Sequence, residues 1–76
     1  MTVEELKSKL IEMNIPEDMY SIMIGGYPNE AFCLVKTDNG WEVYYSERGH
    51  KSSAREFASE SEACDYLERK LKKYAR

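Results

Sequence analysis

The chain has 76 residues, 42% hydrophobic and 12% aromatic, with a formal net charge of −3. That length holds one domain, and a core of this size leaves roughly 3–5 kcal/mol of net stability, so a large catalytic cavity would compete with packing. The composition fits a folded domain rather than a disordered chain. The longest near-apolar run, Ala31 to Val35, is far short of the ~20 residues of a membrane span.

The net charge conceals a segregation. Residues 1–68 carry 14 acids against six bases, a balance of −8, and residues 69–76 carry five bases and no acid. An acidic body repels phosphate backbones and attracts basic partners. Cys33 and Cys64 are too few for a disulfide framework, and with the single His50 they lack paired metal-ligand spacing, so two free buried thiols are expected and no metal or other cofactor. The opening MTVEELKSKL has early acids and no apolar h-region, which predicts no secretion leader and a cytoplasmic protein.

In chain order, Thr2-Val3-Glu4-Glu5 has the capping-box pattern, and Val3, Leu6, Leu10 and Met13 recur at helical spacing. A helix over 3–13 follows, ended by Pro16. Tyr20 to Ile24 predicts a short strand and Gly25 to Asn29 a loop. Ala31 to Lys36 predicts a second strand, Asp38-Asn39-Gly40 a tight turn, and Trp41 to Glu47 a third strand. Residues 48–52 are expected to break the pattern before a fourth strand, 53–57. Ser59-Glu60-Ser61-Glu62 reads as a second capping box, opening a helix over 60–74 with Ala63, Leu67, Leu71 and Tyr74 as its apolar stripe. Acids at its start and lysines at its end suit the helix dipole.

The expectation is a single α+β domain over 1–76: an N-terminal helix, a three- to four-stranded antiparallel sheet and a C-terminal helix, with both helices on one face of the sheet. The other face would then meet water or a partner. In WEVYYSERGH, residues 41–50, alternation puts Trp41, Val43, Tyr45 and Glu47 on one side and Glu42, Tyr44, Ser46 and Arg48 on the other. The first three are assigned to the core, and Tyr44 to the open face beside Glu42 and Arg48. The turn leaves the hairpin register open: Phe32 and Leu34 stand beside the core set in one register, Cys33 and Val35 in the other.

No sequence pattern here points to an enzyme. Glu47, Arg48 and His50 could form an acid/base set only if they converged, and alternation separates Glu47 from Arg48. Gly25-Gly26 lacks the Lys and the following helix of a phosphate cradle, and Glu30, Glu42, Glu47 and Glu56 outweigh the bases an RNA-binding sheet would need.

Residues 25–51, GGYPNEAFCLVKTDNGWEVYYSERGHK, together with Phe57 and Ser61-Glu62-Ala63-Cys64, resemble the small immunity proteins of bacterial polymorphic-toxin systems, over about residues 20–67. The resemblance implies a non-enzymatic cytoplasmic inhibitor that binds a cognate toxin protein, a basic nuclease being the partner an acidic surface suits best. Exposure expected from the strand pattern nominates Tyr27, Glu30, Glu42, Tyr44, Glu47 and Arg48 as partner-binding residues. The alternative of another class is a small ligand-binding or regulatory domain using the open face or the Gly-Gly loop.

Overall fold

The computed structural model describes residues 1–75; Arg76, counted above in the basic tail, lies outside the described residues. Helix α1 spans Val3–Glu12, and a 3-10 turn over Glu17–Met19 leads into strand β1, Tyr20–Ile22. Strands β2 (Ala31–Thr37), β3 (Gly40–Glu47) and β4 (His50–Phe57) follow, then helix α2 (Glu60–Leu71) and a closing 3-10 turn over Lys72–Tyr74. The fold is α+β, and its four strands lie in the order β1-β2-β3-β4.

Both helices start on side-chain caps. Thr2 and Glu5 form the complete capping box: Glu5 N donates to Thr2 Oγ1 (3.2 Å) and Thr2 N to Glu5 Oε1 (2.9 Å). At α2 the box is half made. Glu62 N donates to Ser59 Oγ (3.2 Å), but the Glu62 carboxylate takes the Ser59 hydroxyl (3.0 Å) instead of the cap backbone. Helix α1 ends before Pro16 acts on it. Asn14 takes positive φ (57°), its N–H reaches Ile11 O (3.0 Å), and Ile15 N–H reaches Leu10 O (3.1 Å). This is a Schellman closure, with buried Ile15 packed in the same cluster as Leu10.

The two helices run side by side in one direction. Val3 N donates to Glu60 Oε2 (2.8 Å) at their starts, and Lys9 pairs with Glu68 (3.2 Å) further along. Leu6 and Leu10 of α1 and Ala63, Cys64, Leu67 and Leu71 of α2 close over Ile22, Leu34 and Val43 of the sheet. Each of these is 6% exposed or less. Removing such side chains from water, at about 25 cal/mol per Å² of apolar surface, is the main favourable term holding the fold.

Strands β2, β3 and β4 pair antiparallel as expected. The β2–β3 turn is centred on Asp38-Asn39, because Thr37 pairs with Gly40. That register puts Phe32 beside Tyr45 and Leu34 beside Val43. Two details differ from expectation. First, β1 pairs with β2 in parallel, Tyr20 beside Phe32 and Ile22 beside Leu34. A parallel neighbour ordinarily needs a long crossover, but β1 is three residues long, so the loop 23–30 doubles back without a helix. Second, the break expected over 48–52 is only a two-residue turn. Arg48 and Gly49 both take positive φ (49° and 78°), as a type I′ hairpin requires, and β4 begins at His50. The residue that has to bend is Ser53 (φ 51°), inside β4, where the ladder between Val43 and Tyr45 shifts register. Ser53 and Ala54 there face Tyr44 alone, a β-bulge.

Candidate partner-binding surface

The sheet has two faces by register. Phe32, Leu34, Trp41, Val43, Tyr45, Arg55 and Phe57 point to the helices, and Ala31, Cys33, Val35, Glu42, Tyr44, Ser46, Lys51 and Glu56 point away. Alternation therefore sorts the residues correctly. The second face is nonetheless not open, because the chain covers it with its own loop.

Tyr44 is 4% exposed. Its phenol donates to the Gly26 carbonyl (2.7 Å), and the Tyr27 ring lies 6.4 Å away, tilted 50°. Cys33, directly beside Tyr44, and Ser46 are fully buried. The expectation of an exposed Tyr44 is corrected: the Gly25-to-Asn29 loop, which strand parity cannot register, folds over it. Burial, with the Cys33 thiol close by, pushes the Tyr44 phenol up to about 12. Burial likewise raises both thiols, Cys64 to about 11.

Of the other expected contact residues, Glu42 is half-buried and held by Lys51, whose ammonium meets both carboxylate oxygens (3.2 and 3.3 Å) and lies 4.7 Å from the Tyr44 ring centroid. Lys51 thereby offsets a like-charge neighbour, since Glu42 stands opposite Glu56 across the ladder. Glu30, Glu47 and Arg48 are exposed. Glu30 and Glu47 both act on the Tyr45 phenol, which burial raises first and these carboxylates further. Arg48 stands apart in the hairpin turn. His50 pairs with Glu47 in the ladder, and both are open to water. The structure thus brings Tyr27, Tyr44 and Glu42 together on one face, Glu30 and Glu47 together beside Tyr45, and joins Arg48 to neither group.

The sequence reading missed the apolar surface that remains. Ile11 (63% exposed), Met23 (44%), Ile24 (82%) and Tyr27 (56%) are the large hydrophobic residues most open to water among those described. Ile11 and Ile24 line one groove of about 330 Å³ along β1, with Tyr20 and Ile22 at its base and Lys7 and Glu17 on its walls. Strand β1 is also an outer edge of the sheet. The available signal was Ile11, an apolar residue standing off the Leu6/Leu10 stripe of α1. Glu12 and Asp18, both exposed, flank Ile11 and Glu17 in the chain. Apolar anchors beside a charged, solvated border form the usual anatomy of a protein contact surface.

Among the described residues no group of three or more His, Cys, Asp or Glu could hold a metal ion, and no helix is long and apolar enough to cross a membrane. Compared with protein-family models, curated proteins and solved structures, the chain matches none of them.

Proposed function

We propose that this protein is an immunity protein, which binds a cognate bacterial toxin in the cytoplasm of the producing cell and neutralises it by direct contact. The observation that carries this reading is the β1 groove: Ile11 and Ile24 stand exposed between Glu17 and Lys7, the latter paired with Glu4, on a domain whose first 68 residues carry an excess of eight acids. Such a surface suits a basic protein that offers an apolar side chain to the groove and cationic ones to its border, and a nuclease has that chemistry. Met23 and Tyr27 are exposed on the same loop as Ile24 and offer further apolar contact area. The 25–51 strings and the Ser61-Glu62-Ala63-Cys64 helix start support the same reading through their resemblance to immunity proteins.

The direct experiment is co-expression with the product of the neighbouring toxin gene. A 1:1 complex and restored growth are expected, and Ile24→Asp should weaken both without unfolding the protein. Neither complex nor rescue with any toxin encoded beside the gene would overturn the reading.

A further inference from the structure

A second groove, of about 310 Å³, lies on the helix side of the sheet, between β3 and the C-terminal turns of α2. Its walls are Phe32, Tyr45, Tyr66 and Tyr74, with Lys70 and Lys73 at the α2 end. The Phe32 and Tyr45 rings meet at 4.9 Å, tilted by 60°. Lys70 and Arg55 each lie 5.3 Å from the Tyr66 centroid, and Lys73 lies 5.3 Å from that of Tyr74. None of these three cations reaches a carboxylate among the described residues, in a chain where acids outnumber bases. Aromatic faces hold them in place, and their charge stays available.

We propose that this groove binds a short protein segment presenting one carboxylate next to an apolar side chain. The carboxylate seats between Lys70 and Lys73, and the apolar side chain lies against Tyr45, Phe32 and Tyr74. The volume suits one or two side chains. Charge sets where the carboxylate goes: Glu30 and Glu47 act on the Tyr45 phenol, so an anion is drawn to Lys70 and Lys73 rather than to Tyr45. The same asymmetry disfavours a nucleic-acid strand, whose phosphates would have to continue past those two acids. The groove is separate from the one along β1, and its occupation does not depend on the toxin-binding reading.

The test is a titration of the ¹⁵N-labelled protein with N-acetyl-Leu-Glu-amide, and with N-acetyl-Leu-Gln-amide as the uncharged isostere. Saturable shifts are expected at Ser53, Tyr66, Lys70, Lys73 and Tyr74, with the Gln peptide about tenfold weaker, the size expected for losing one well-placed charged contact. Lys70→Glu/Lys73→Glu should abolish the shifts. Lys36→Glu, which alters an exposed cation over Trp41 (5.5 Å), should leave them unchanged. Circular dichroism of each variant verifies the fold. The proposal is overturned if nothing saturates, if the Gln peptide binds equally, if Lys36→Glu weakens binding as much as the double variant, or if oligothymidylate binds the same residues more tightly than the Glu peptide.

Discussion

The Tyr44 hydroxyl hydrogen-bonds the Gly26 carbonyl and lies under a loop that has few other ties to the sheet. Removing that hydroxyl leaves the carbonyl of an exposed glycine free to find water, so Tyr44→Phe should cost about 1 kcal/mol, the lower part of the range for a lost hydrogen bond. Urea denaturation reads the cost, and faster amide exchange confined to residues 25–29 would locate it; an unchanged midpoint would remove Tyr44 as the loop's anchor. Ser46 predicts the opposite sign. Its hydroxyl is fully buried and lacks a hydrogen-bond partner among the described residues, so Ser46→Ala should stabilise the fold by about 1 kcal/mol. Strand parity had both residues on the correct face. Their burial was not legible, because alternation describes one strand and the cover comes from a distant loop.

The same burial makes stability pH-dependent on the alkaline side. Burial pushes the Cys64 thiol up to about 11 from its ordinary 9.0, and the Tyr44 phenol up to about 12 from 10.0. Each native group keeps its proton longer than its unfolded counterpart. Their contributions are therefore complete below pH 9 and decline as pH rises, between about 9 and 11 for Cys64 and between about 10 and 12 for Tyr44. Melting temperature should fall progressively above pH 9, and Cys64→Ala should flatten the first part of that fall. A melting temperature constant from pH 8 to 11 would contradict it.

At the scale of elements, the helices were legible because each carries its start signal and a 3.6-residue stripe. The β2–β3 hairpin was legible because Asp-Asn-Gly marks a turn. The parallel β1 was not, since a three-residue strand carries too little pattern to show its direction. The extended β4 was hidden by Arg48, a residue that rarely supplies positive φ. Gly40 ties the well-read part together: its φ is 153°, and a Cβ there would collide with the Phe57 carbonyl oxygen of β4. Both strain and collision act on backbone, so Gly40→Ala should cost about 2 kcal/mol or more, while Gly49→Ala, with open space around it, should cost only the positive-φ penalty of about 1 kcal/mol. Equal losses from the two would show that the β3–β4 backbone approach at Gly40 is looser than described.

Across the whole molecule, two grooves of different chemistry sit on different parts of one small sheet. One lies along β1 with exposed isoleucines and both Glu17 and Lys7 on its walls, and the other over β3 with Lys70 and Lys73. Two to three strand spacings separate them, roughly 10–14 Å, comparable to the Debye length of ~10 Å at 0.1 M salt. Near physiological salt each groove therefore attracts its own partner, and the net charge of −3 describes neither. For a basic toxin at the β1 groove this separates the roles of charge and apolar contact. The acids act at long range and set the rate of encounter; Ile11 and Ile24 act only once docked and set how long the complex lasts. Glu17→Lys should slow association and reduce its salt dependence, with little change in dissociation. Ile24→Asp should speed dissociation by tenfold or more, about 1.4 kcal/mol, without slowing association, since the charge it adds is acidic. Surface plasmon resonance at two salt concentrations resolves both rates. If Ile24→Asp instead changed only association, the isoleucine would not be buried in the complex, and the contact would have to lie elsewhere on the molecule.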